Sequence, residues 1–325
     1  MAVQGFLAGT ALLLRRVWQL YVAHVLLFVF YAAAIGYVAQ RYGQSHLLDE
    51  FNVARLIEQP VATLTQGLLL KFKPLNLDVL PLYIVLMAGF AAMLHFMQRW
   101  PNLTLAASAA VYVLARHFGW NYPAYPSGAW YFNPFAWQLL FMTGTWAALG
   151  GRALANMLAR SRIVLTSSIA FVLFALFLTL AVRFDIAGFI PAGLLDLFVP
   201  NDKTNLAPYR VLHFLALSVI VVRLVPEDWS ELRSPLLWPL IVVCGQRSLE
   251  VFCIGIFLSF VGHFVLGMSS ESLVNQIAVS AAGVMLMTSV AMYRAWSRRL
   301  DAPTNKVRTG DKAAHRPPKK EAQDP

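Results

Sequence analysis

The chain has 325 residues, of which 58% are hydrophobic and only 13% charged, with a mean hydropathy of +0.60. Soluble domains carry about 25% charged residues, and a globule of this size has too little interior to hide so much apolar surface. A soluble α/β enzyme, a DNA-binding domain and a disordered chain are excluded, and an all-α, polytopic membrane helix bundle is the expectation.

The net charge of +10 divides unevenly. Residues 294–325 hold nine basic and four acidic residues, half of the total excess. The rest is dispersed, which argues against a nucleic-acid partner and fits cytoplasmic loops and a basic tail beside anionic lipid. Residues 1–300 read as one multi-span membrane domain and 301–325 as a basic, disordered cytoplasmic tail. Cys244 and Cys253 lie in apolar sequence without redox or metal spacing and read as buried free thiols.

Eight stretches are apolar enough for about 20-residue spans: 17–39, 77–97, 101–118, 134–154, 163–182, 208–225, 249–267 and 273–293. The stretch 236–245 extends the seventh backwards, with Gly245-Gln246-Arg247 as a polar interruption. A cytoplasmic N-terminus puts Arg15, Arg16, Arg99, Arg152, Arg160, Arg162, Arg223, Arg233, Arg294, Arg298 and Arg299 inside. Fewer basic residues then fall outside, so both ends are expected in the cytoplasm.

Three outer segments are more than loops. Residues 47–72 place Leu47, Leu48, Phe51, Val61, Leu64 and Leu68 between charges and read as two short surface helices broken by Pro60. Residues 119–135 are crowded with Pro, Gly and aromatics. They form either an interfacial belt or a platform of Trp120, Tyr122, Tyr125, Trp130 and Tyr131 that stacks on sugar rings. Residues 186–207 read as a short apolar helix or re-entrant piece ending in the polar cluster NDKTN.

Ionisable residues within spans are costly, at least about 2.5–3.5 kcal/mol at the centre, and are functional candidates by default. Asp78 opens the second span. Arg210 and His213 share a helix face beside Asp202, Lys203 and Asn205, and an Arg there suits a carboxylate or phosphate. Arg247, Ser248 and Glu250 stand in the interruption of the seventh span, and His263 near its outer end. Arg247 and Glu250 either pair along the helix or serve a site. His24 and His95, in apolar runs, read as hydrogen-bonded packing residues. The sequence has no P-loop, GxGxxG, HExxH or GxSxG, no metal-ligand spacing and no motif for a bound cofactor.

Several segments together resemble OpgC-type proteins, membrane acyltransferases that add succinyl groups to osmoregulated periplasmic glucans, within the wider acyltransferase family 3. They are RRVWQLYVAH (Arg15–His24), LNLDVLPLYIVL (Leu75–Leu86), WYFNPFAWQLLF (Trp130–Phe141) and NDKTNLAPYRVLHFLAL (Asn201–Leu217). A fifth, CGQRSLEVFCIGIFLSFVGHF (Cys244–Phe264), is similar to the family's late Gly-x-x-Ser-Leu helix. The resemblance implies transfer of an acyl group from acyl-CoA, succinyl-CoA above all, to hydroxyls of a periplasmic glucan. It also implies a multi-pass protein of the bacterial inner membrane. The aromatic segment would then hold glucose rings, and Arg210 and Lys203 would receive a succinyl carboxylate or CoA phosphates. Family members begin with two further spans that carry the His taken as catalytic base and a Ser-Gly-Tyr motif. Neither motif occurs in this sequence, so the expected bundle is about eight spans, the family's ten without the first two, and no catalytic residue is assigned. A start upstream of Met1 is expected. A non-catalytic or transporter-like partner in glucan export or modification is the alternative.

Overall fold

The computed structural model describes residues 2–185, 188, 190, 191, 193, 195, 198, 202–225, 237–269 and 272–300. The expected tail 301–325, Arg233 and most of the segment 186–201 lie outside the described residues. The described residues form helices and no strand; one isolated bridge joins Pro123 and Ala129. They divide into two compact units, Met1–Glu231 and Leu232–Pro325.

The first unit contains α1 (Ala2–Arg41), α2 (His46–Glu50), α3 (Ala54–Glu58), α4 (Pro60–Leu68), α5 (Val79–Arg99), α6 (Pro101–Phe118), α7 (Pro134–Ala148), α8 (Arg152–Arg160), α9 (Arg162–Arg183) and α10 (Pro208–Leu224). The second contains α11 (Leu237–Gln246), α12 (Ser248–Met268) and α13 (Leu273–Leu300). Each of the eight apolar stretches carries a helix. Among the described residues, five helices are long and apolar enough to cross a membrane by length and composition: Gly9–Arg41 within α1, α5, α9, α12 and Leu273–Arg298 within α13. Their outward faces carry large apolar side chains such as Leu173, Phe177, Val265 and Met285, the arrangement expected where lipid is the solvent.

Local chemistry explains most boundaries. Pro60, Pro101, Pro134 and Pro208 each stand in the first helical turn, where a missing N–H costs nothing. Asn133 caps α7 by accepting from the Phe135 N–H at 3.0 Å. Gly119 ends α6 at φ +66°, a left-handed position that favours glycine. Two expectations change here. The fourth stretch does not run as one helix to residue 154: it stops at Ala148, turns at Leu149–Gly151 and resumes as α8. Pro60 does not break a helix but opens α4, so the 47–72 segment holds three helices.

Those three helices fold back along α1. Gln44 N donates to Ala39 O at 2.9 Å. Further down, Phe51 meets Tyr31 edge-on at 6.2 Å, Phe72 meets Phe28 at 6.2 Å, and the Tyr21 hydroxyl donates to Leu68 O at 3.0 Å. The segment thus descends beside about five turns of α1. The apolar stretch Gly9–Arg41 has 33 residues, about 50 Å of helix against a hydrocarbon core of about 30 Å. Its outer turns are covered by protein: Leu47, Phe51, Val53 and Phe72 are buried, as are Leu27, Phe28, Tyr31 and Ile35.

Candidate functional site

The fold-back delivers Lys73 to the side of α1. Asn52, at φ +54°, donates from its side chain to Lys73 O at 2.9 Å, and Leu75 N donates to Phe51 O at 3.0 Å. Thus fixed, Lys73 is buried, with Nζ 3.8 Å from the Trp130 ring centroid and 3.8 Å from Asp78 Oδ1. Burial pushes the Lys73 ammonium down to about 8, against the opposing pull of Asp78. Burial likewise raises the Asp78 carboxyl above its usual range, opposed by Lys73. Both charges are therefore held in a place that disfavours charge.

His24 stands on α1 one turn before Phe28, whose ring meets that of Phe72, the neighbour of Lys73. The histidine is 1% exposed, and neither ring nitrogen has a hydrogen-bond partner. It is therefore buried as expected but is not the hydrogen-bonded packing residue that its apolar run suggests. Trp130 is 4% exposed and its Nε1–H also lacks a partner. Each such group costs about 1–3 kcal/mol if left empty.

A second polar network ties the aromatic segment to the NDKTN turn. Asn133 donates to Trp120 O at 2.6 Å and to Asn205 Oδ1 at 2.9 Å. Asp202 accepts from Asn205 N at 3.0 Å and from Asn205 Nδ2 at 3.1 Å, and pairs with Arg116 at 3.7 Å. Arg116 Nη1 donates to Asn205 O at 2.8 Å and Tyr112 Oη to Leu206 O at 2.8 Å. Trp137 Nε1 donates to Lys203 O at 3.0 Å. Asp202 and Asn205 thus hold the turn in place. The aromatic segment itself splits in two. Trp120, Tyr122 and Tyr131 are exposed, whereas Trp130 is covered and Tyr125 donates its hydroxyl to Gln59 Oε1 at 3.1 Å.

Arg210 and His213 share a face, as their spacing requires, and line a cavity of about 670 Å³ with Tyr209. Its walls are apolar side chains of α9, among them Val172, Leu176, Leu178 and Val182, with Leu195 and Phe198. The space is lined mainly by hydrocarbon, with Thr179 on α9 and Tyr209, Arg210 and His213 along α10 as its polar side chains.

In the second unit, Arg247 interrupts the chain between α11 and α12, Ser248 begins α12, and His263 is exposed near its end. Glu250 makes ion pairs with Arg298 at 3.8 Å and Arg294 at 4.0 Å, both on α13. The Arg247 Nε atom is buried without a hydrogen-bond partner. Glu250 therefore ties α12 to α13. Cys244 and Cys253 are free but only half-buried, with Cys244 Sγ 3.9 Å from Thr288 Oγ1. Among the described residues no His, Cys, Asp and Glu group is placed to hold a metal ion.

Of the sequence-derived candidates, Asp78 and Trp130 each approach Lys73, Asp202 and Asn205 hydrogen-bond to each other, and Arg210 and His213 line one cavity. The burial of Lys73 and the unmet nitrogens of His24 are not marked in the sequence. No periodicity marks a lone lysine in a long loop, and only the fold-back shows that its amine is buried.

Long apolar helices whose exposed faces carry large hydrocarbon side chains define a polytopic membrane protein. The chain belongs to the OpgC protein family, whose model matches residues 1–299. No curated protein and no solved structure matches it. Family membership supports a membrane-bound, acyltransferase-like role in glucan modification.

Proposed function

We propose that the protein is an O-acyltransferase that moves a succinyl group from succinyl-CoA to hydroxyls of a periplasmic glucan in the bacterial inner membrane. The observation that carries the reading is the family match across residues 1–299. The exposed rings of Trp120, Tyr122 and Tyr131 support it, because sugar rings stack apolar face to aromatic face. The cavity beside Arg210 supports it too: the guanidinium fork matches a carboxylate, and the apolar walls suit the uncharged part of an acyl donor. The acceptor hydroxyl needs a base and the tetrahedral intermediate needs hydrogen-bond donors.

The test is a gene deletion complemented with wild type or with Arg210→Ala. Deletion removes the acyl anions from the cell's glucans, so they elute early from an anion exchanger; wild type restores late elution. Arg210→Ala, present at normal protein level, restores less than about a tenth of it, since a charge-assisted bidentate contact contributes about 1.5–3 kcal/mol. Unchanged glucan charge in the deletion overturns the function, and full rescue by Arg210→Ala removes Arg210 from the site.

A further inference from the structure

Resting on that reading, we propose that His24, Trp130 and Lys73 form a buried subsite for hydroxyl groups of the acceptor glucan, separate from the cavity beside Arg210. Two side chains more than nine-tenths buried, His24 and Trp130, present polar atoms with no partner. Lys73 Nζ lies 3.8 Å from the Trp130 ring, and the adjoining Phe72 packs edge-on against Phe28, one helical turn along α1 from His24.

The unmet hydrogen-bonding capacity identifies the ligand class. An indole N–H only donates, so its partner must accept. A neutral imidazole offers one donor and one acceptor, so its partner must do both. A sugar hydroxyl does both. An anion is not called for, because Asp78 stands 3.8 Å from Lys73 and offsets its charge. Lys73 instead grips the ring face of Trp130 and thereby fixes the direction of the Nε1–H. The ring of Tyr122, exposed, lies 5.4 Å from that of Trp130 and is the adjoining surface on which the rest of a glucose unit stacks.

Titration calorimetry of the full chain in lipid nanodiscs with an unsubstituted β-glucan oligosaccharide tests this. Trp130→Phe keeps the ring and loses the N–H; His24→Leu keeps the bulk and loses both nitrogens. Each variant is expected to bind the oligosaccharide at least tenfold more weakly while retaining the wild-type affinity for succinyl-CoA. If His24→Leu does not fold, Trp130→Phe alone decides. Wild-type glucan affinity in the folded variants overturns the subsite and leaves the acyltransferase reading standing. No binding of the oligosaccharide by the wild type counts against the glucan reading itself and removes the subsite with it.

Discussion

Burial disfavours the charges of Lys73 and Asp78 more than their attraction at 3.8 Å offsets, since both groups shift toward their neutral forms. Removing one partner of such a buried pair is costly, whereas replacing both by apolar residues is often neutral or stabilising. Asp78→Asn, which strands the lysine, is expected to lower stability by about 3 kcal/mol, whereas the double change Lys73→Met with Asp78→Leu is neutral or stabilising. The pH dependence carries the same sign. Between about 8 and the ordinary lysine value of 10.5, the unfolded chain holds a proton at residue 73 that the native chain has released. Stability therefore rises with pH across that window. Thermal unfolding in detergent from neutral to alkaline pH measures it, and Lys73→Met removes the rise.

At the scale of elements, the join between α4 and α1 holds the cluster in place. A Cβ added at Gly67 lies 2.8 Å from Phe28 Cε1 and Cζ. Phe28 is 2% exposed and packed edge-on against Phe72, so it has nowhere to move. Gly67→Ala should destabilise by about 1–3 kcal/mol through overpacking. Gly89→Ala is the control: nothing lies within 4 Å of its added Cβ, and in mid-helix it should stabilise by up to about 1 kcal/mol. Unfolding midpoints of the two variants should move in opposite directions. The contrast also shows what sequence could reveal. Apolar runs announce helices wherever each residue meets lipid or a neighbouring helix, so α5, α9 and α12 begin and end close to their expected limits. The fold-back of α2–α4 depends on contacts between residues far apart in the chain, such as Tyr21 with Leu68 and Phe28 with Phe72. The polar residues 202–205 lie at a turn, where Asp202 and Asn205 hold the loop together. His24, in an apolar helix, gave no hint of its unmet nitrogens.

For the whole molecule, helix lengths and arginine positions together predict which side of the membrane each loop occupies. Helix α7 has 15 residues, about 22 Å, short of a hydrocarbon core of about 30 Å. The turn at Leu149–Gly151 and α8 follow it. Helix α8 exposes Leu154, Met157 and Leu158 as a stripe, with Arg152 and Arg160 at its ends. That is the pattern of a helix lying in an interface beside anionic headgroups. By the excess of basic residues in cytoplasmic loops, Arg152, Arg160 and Arg162 are expected on the cytoplasmic face, and the 42–78 segment and the aromatic segment on the opposite side. Single cysteines placed in a Cys244→Ser, Cys253→Ser background and treated with a membrane-impermeant maleimide test this in cells with a permeabilised outer membrane. Gln44→Cys and Ser127→Cys should label in intact spheroplasts. Asn156→Cys should label only after lysis. Labelling of Asn156→Cys in intact spheroplasts with protection of Gln44→Cys would invert the arrangement and take the Lys73 cluster away from any periplasmic acceptor.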